Sequence, residues 1–121
     1  MLYAGRQGAE ISIGSRNFVN NNVVIASMQR ISIGNDCLIG DSVSITDCDF
    51  HELDPKTRRR SQGVSKEVVI ENNVWLGSGV SVLKGVSIGE NSVIGARSVV
   101  VKSIPANCIA AGNPARMIRG L

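Results

Sequence analysis

Between Val69 and Val101 the apolar residues recur at intervals of six. Aliphatic side chains open successive hexads at Ile70, Leu76, Val82, Ile88, Ile94 and Val100. Four places after each opener stands a small or aliphatic residue: Val74, Val80, Val86, Ser92, Ser98 and Ile104. Gly follows the opener at Gly77, Gly89 and Gly95. An amphipathic helix would repeat its apolar positions at three and four, and a lone strand at two. A period of six with a second inward place fits a short strand and a turn, repeated, which is the pattern of a parallel β-helix. The same pattern opens at Ile13, Val19 and Ile25, and again at Ile33, Ile39 and Ile45, with Cys37 and Val43 at plus four. Ile25 and Ile33 are eight apart rather than six, which predicts a bulged corner. Three hexads close one triangular turn of backbone, so the pattern predicts about four coils, over 13–30, 33–50, 70–87 and 88–105. Residues 1–12 read as an edge strand or a terminal cap. The segment after Val101 reads as a last partial turn and a short C-terminal tail.

The repeat is interrupted once, between Phe50 and Val68. HELDPKTRRRSQGVSKE carries Pro55, Gly63 and many charges, and cannot fill a face of a prism. Residues 51–67 are therefore expected to leave the coil as an excursion, and long loops inside small domains commonly carry function. The rest reads as one domain over 1–121. Aromatic residues make up only 3% of the chain, which suits a narrow interior of stacked aliphatics. The three cysteines, Cys37, Cys48 and Cys108, are widely spaced with no CxxC, so neither a disulfide framework nor a zinc knuckle is indicated. A net charge of +3 is too mild to point to nucleic acid. No apolar run approaches a membrane span, and the N-terminus has no signal-like apolar stretch, so the expectation is a cytoplasmic protein without a membrane span. A short stacked prism leaves open ends and edges, for which self-association is the expected compensation.

The one histidine, His51, stands where the repeat stops and the excursion begins. A general base there would be held by a strand and covered by a loop, and imidazole exchanges protons near neutral pH. Asp47, Asp49 or Glu52 could orient it. No G-x-S-x-G elbow accompanies the serines, and one histidine with scattered cysteines makes a poor metal set, so no metal is expected. The glycines keep the period of the coil and form neither a P-loop nor a G-x-G-x-x-G. Lys102, Arg116 and Arg119 form a basic C-terminal set that could lie on a solvated face or clamp phosphates.

These residues resemble the hexapeptide-repeat acyltransferases, and within them the sugar O-acetyltransferases related to galactoside and maltose acetyltransferases and to the capsule and exopolysaccharide enzymes. The likeness rests on NVWLGSGVSVLKGVSIGENSVIGARSVV and IPANCIAAGNPARMIR, and on DFHELDP followed by a basic loop. The resemblance implies a left-handed parallel β-helix that works as a homotrimer, with acetyl-CoA bound in clefts between subunits. It implies that His51 takes the proton from an acceptor hydroxyl, and that Ser78 and Ala96 contact the coenzyme. Lys102, Arg116 and Arg119 then hold the coenzyme's phosphate-bearing end. Asn20, in FVNNNV, falls where the family meets the acceptor sugar, and as a residue tolerant of left-handed backbone it equally suits a turn; Trp75 matches the family's NVW place, toward the acceptor or in packing at a subunit contact. Two departures stand out. Ser27 occupies a place near which relatives carry an acid, and relatives bring further coils or a helical segment before the first hexad.

The expected activity is therefore transfer of an acetyl group from acetyl-CoA to a hydroxyl of a sugar or glycan precursor. The alternative is a non-catalytic β-helix assembly subunit with an incidental histidine. A γ-class carbonic anhydrase on the same prism would need three metal-binding histidines, which this chain does not have.

Overall fold

A hexad has room for two or three extended residues and a turn, and the strands are correspondingly short. The computed structural model describes residues 1–121 as fifteen strands with no helix. Face one stacks β1 (Leu2–Ala4), β4 (Val24–Ser27), β7 (Ser44–Thr46), β10 (Ser81–Val82) and β13 (Val99–Val100). Face two stacks β2 (Glu10–Ile13), β5 (Arg30–Ile33), β8 (Val68–Ile70) and β11 (Ser87–Ile88). Face three stacks β3 (Phe18–Val19), β6 (Leu38–Ile39), β9 (Trp75–Leu76), β12 (Val93–Ile94), β14 (Cys108–Gly112) and β15 (Ala115–Gly120). Every pairing is parallel except that of β14 with β15.

The register puts like on like. Ile25 stacks on Ile45, Ile45 on Val82 and Val82 on Val100; Ile39 stacks on Leu76, Leu76 on Ile94 and Ile94 on Ala110. The openers from Ile25 to Val100 and all the plus-four residues from Cys37 to Ile104 are buried. Each large aliphatic that leaves water contributes on the order of 1.5–3 kcal/mol, so this single column of side chains is the main stabilising element of the fold.

The corners need left-handed backbone, which asparagine tolerates better than most residues. Asn73, Asn91 and Asn107 take φ of 57, 68 and 58° at one corner. Their amides form a ladder, Asn73 Nδ2 donating to Asn91 Oδ1 at 2.9 Å and Asn91 Nδ2 to Asn107 Oδ1 at 2.7 Å. At another corner coils pass so closely that a Cβ on Gly77 would lie 2.8 Å from the Ala96 nitrogen.

Two expectations are corrected. Face one carries five stacked strands, hence about five coils rather than four, because Leu2–Ala4 pairs with Val24–Ser27 and opens a first coil that also holds Ile13 and Val19. The residues after Pro114 are not a tail: Ala115–Gly120 folds back antiparallel on Cys108–Gly112 and continues face three. The two ends differ as a result. Ile13 and Val19, at the first coil, are 38% and 43% exposed, whereas Val100 and Ala115 near the last coil are buried. The eight-residue interval before Ile33 is a corner at Met28–Gln29, with Met28 turned into the interior. No helix is long and apolar enough to cross a membrane.

Candidate active site

The excursion leaves face one after β7 and returns to face two at β8. Its two arms pair: Cys48 and Ser65 form an antiparallel bridge, Asp49 N donates to Val64 O at 3.0 Å and Lys66 N to Asp47 O at 2.8 Å. Gly63 lets the returning arm cross His51, since a Cβ there would come within 2.3 Å of the His51 carbonyl oxygen, and its φ of 70° disfavours a side chain in any case.

The root of the loop is fixed by Asp47, which is fully buried. Its carboxylate accepts from Ser27 Oγ at 2.7 Å, Met28 N at 2.8 Å, Gln29 N at 3.0 Å and Arg30 N at 2.7 Å. The bulged corner of one coil is thereby tied to the start of the excursion in the next. Ser27, where the family pattern leads one to expect an acid, serves here as a donor to an acid one coil away.

His51 is exposed, and its Nδ1 lies 3.0 Å from the Arg58 carbonyl oxygen. A carbonyl can only accept, so Nδ1–H donates, and the neutral ring carries its lone pair on Nε2. None of the three acids considered as orienting groups touches the ring. Asp47 is occupied by the corner, Asp49 pairs with Lys84 Nζ at 2.8 Å, and Glu52 accepts from Thr57 Oγ1. Hydrogen bonds from the Thr57 and Ser61 hydroxyls hold the Glu52 carboxyl below the usual range. The orienting role of the Arg58 backbone has no signature in a sequence, because any residue supplies a carbonyl.

Two hollows meet at His51. One, of about 510 Å³, is lined by Phe50, His51, Arg59, Arg60, Ser61 and Gln62. The other, of about 370 Å³, is lined by Asp49, His51, Glu52, Leu53, Gly63 and Val64.

A second group of candidate residues stands on the corner between faces three and one. Gly79 N donates to Asp41 O and Arg97 N to Ser78 O, which stacks Asp41, Ser78 and Ala96 in one column. Ser78 Oγ donates to Asp41 Oδ1. Asn20 begins the same corner, and its Oδ1 accepts from Asn21 N at 2.7 Å. Asn20 and Trp75 line one groove of about 230 Å³ with Phe18 and Leu38. Phe18, Leu38 and Trp75 are in register on face three and all exposed, forming an apolar stripe on the outside of the prism. Arg116 and Arg119 lie on β15, opposite Ala111 and Ile109. Lys102 lies apart from them, in the turn after β13, on the corner between faces one and two. The candidate residues of one chain thus divide between the two edges of face one: His51 and Lys102 at one, Asn20, Ser78 and Ala96 at the other.

The family described as bacterial transferase hexapeptide (six repeats) matches residues 67–102, and that described as hexapeptide repeat of succinyl-transferase matches residues 30–46. A galactoside O-acetyltransferase of Lactococcus lactis is 43% identical over 118 residues, 98% of this chain and 56% of that protein. A galactoside O-acetyltransferase of Escherichia coli is 41% identical over 112 residues, 93% of this chain and 55% of that protein. The chain therefore spans about half the length of these relatives. The crystal structure of a hexapeptide-repeat acetyltransferase of Vibrio cholerae complexed with acetyl-CoA superposes with a TM-score of 0.87 at 40% identity, over 92% of this chain and 60% of that one. Repeat, prism and sequence likeness agree, and the chain belongs to the hexapeptide-repeat acyltransferase family.

Proposed function

We propose that the protein is an acetyl-CoA-dependent O-acetyltransferase acting on a hydroxyl of a sugar or glycan precursor, with His51 as general base. The observation that carries this reading is the state of the histidine. Its Nδ1–H is engaged by the Arg58 carbonyl, which leaves Nε2 as an oriented acceptor beside open hollows. In the reaction, Nε2 takes the proton of the acceptor hydroxyl while the oxygen bonds to the acyl carbon of the thioester. The carbon–sulfur bond then breaks, and the leaving thiolate takes a proton, so that an ester and free coenzyme A result. A fixed ring orientation matters because proton transfer requires hydrogen-bond reach to the attacking oxygen.

The residues present suit the coenzyme. The corner of Ser78 and Ala96 offers a small, exposed backbone surface, and Lys102, Arg116 and Arg119 are exposed cations suited to phosphates. Trp75 offers an apolar wall and Asn20 an amide for the acceptor. Asn20, Ser78 and Ala96 stand across face one from His51, on the order of 15 Å by strand rise, which is too far for one chain to bring base and acceptor together. A homotrimer that sets one edge of face one against the other edge of a neighbour's brings them into a single cleft. The apolar stripe of Phe18, Leu38 and Trp75, exposed in one chain, supports such a contact.

The test is thiol release from acetyl-CoA in the presence of a panel of sugars. Wild type should release coenzyme A with at least one acceptor, and His51→Asn should lose roughly 10²–10⁴-fold in turnover with acetyl-CoA affinity little changed. Retention of more than about a tenth of the turnover in His51→Asn would place the base elsewhere.

A further inference from the structure

The two hollows beside His51 are electrostatically opposite. One is lined by Asp49 and Glu52. The other is lined by Arg59 and Arg60 and by no acid. The acids nearest the two hollows are already engaged: Asp49 with Lys84, Glu52 with Thr57, and Asp54 Oδ1 with Lys56 N at 2.9 Å. Arg58 is engaged too, its guanidinium donating to the Leu53 carbonyl at 2.9 Å while its own carbonyl orients His51. Arg59 and Arg60 form no ion pair and no side-chain hydrogen bond within the chain. The residue whose carbonyl orients the imidazole is followed directly by two arginines without side-chain partners, which line the same hollow as His51.

A guanidinium offers a planar fork of donors that matches a carboxylate or a phosphate. The cations considered for the coenzyme, Lys102, Arg116 and Arg119, lie outside this hollow. We infer that Arg59 and Arg60 bind a carboxylate or phosphate carried by the acceptor and thereby bring one of its hydroxyls to Nε2 of His51, so that the protein acts on acidic sugars in preference to neutral ones. This rests on the reading of His51 as the base. It adds a substrate class and two specificity-determining residues to that reading.

The experiment is equilibrium titration of the whole protein with matched pairs: glucose against glucuronate and glucose 6-phosphate, and galactose against galacturonate and galactose 6-phosphate. At least one acidic sugar should bind about tenfold or more tighter than its neutral counterpart, the scale of a charge-assisted hydrogen bond. The carboxylate and phosphate arms identify which anion is preferred. The preference should shrink with added salt. It should be lost in the Arg59→Gln/Arg60→Gln variant and partly kept in Arg59→Lys/Arg60→Lys, which retains charge without the fork. Equal binding of acidic and neutral sugars overturns the inference. So does an Arg59→Gln/Arg60→Gln variant that keeps the preference, or one that weakens acetyl-CoA binding instead. Failure of the base reading shows differently, as full turnover in His51→Asn, and leaves the binding arms readable.

Discussion

Replacing Asp47 by Ala tests how the excursion loop is rooted. The carboxylate accepts four hydrogen bonds, from Ser27 Oγ, Met28 N, Gln29 N and Arg30 N, at 2.7, 2.8, 3.0 and 2.7 Å. At a net contribution of about 1 kcal/mol for each, the loss is about 4 kcal/mol. Donors left without partners next to the interior add to it. Domains of this kind are stable by about 5–15 kcal/mol, so Asp47→Ala removes a large share of the total and lowers the melting temperature by about 15 °C. Asp49→Ala is the control. Its pair with Lys84 is close, at 2.8 Å, but both side chains are 35% exposed, and such pairs contribute about 0–1 kcal/mol. The assay is urea unfolding followed by far-ultraviolet circular dichroism, at one fixed protein concentration because self-association shifts apparent stability. The reasoning fails if Asp47→Ala unfolds within about 1 kcal/mol of wild type, or if Asp49→Ala costs as much.

Gly77→Ala should destabilise by about 1–3 kcal/mol in the same assay, because its Cβ would sit 2.8 Å from the Ala96 nitrogen, a backbone atom that cannot turn away. The hydrogen bonds from Thr57 and Ser61 that lower the Glu52 pKa stabilise the loop fully above the ordinary value of 4.5, and that contribution is lost as pH falls through the lowered value. Hydrogen exchange over residues 52–61, compared at each pH between wild type and Thr57→Val, should differ at neutral pH and converge in acid; equal protection throughout would contradict it. Arg116→Ala should weaken acetyl-CoA binding and reduce its salt dependence, and unchanged affinity at low salt would remove Arg116 from the phosphate clamp.

The period of six carried most of the prism into view, because stacked coils put the same face of every hexad inside, and all the plus-four residues from Cys37 to Ile104 are buried. It was silent at both ends, for different reasons. Leu2–Ala4 stacks on Val24–Ser27 on one side only, and Leu2 and Tyr3 stay exposed, so the first strand shows no buried aliphatics at fixed places. The last strands trade parallel stacking for an antiparallel pair, which obeys a period of two. At the site, His51 was legible as a lone imidazole at the break in the repeat. Its orienting partner was not, since the Arg58 carbonyl belongs to the backbone. Asp47 looked like a partner for His51 from its position in the chain, but one residue of strand separates inward from outward, and its side chain points in. The division of candidate residues between two edges of face one depends on which corner each turn occupies, which hexad spacing alone does not label.

The central claim is that His51 of one chain and the Asn20–Trp75 groove of another make one active site. It is tested most directly by co-expressing two variants, His51→Asn and Asn20→Ala/Trp75→Ala, each inactive by itself in the thiol-release assay. In randomly mixed trimers about a quarter of the clefts receive an intact edge from each chain, so turnover should return to about a quarter of the wild-type value. Mixed assemblies that stay as inactive as their parents would contradict a shared site.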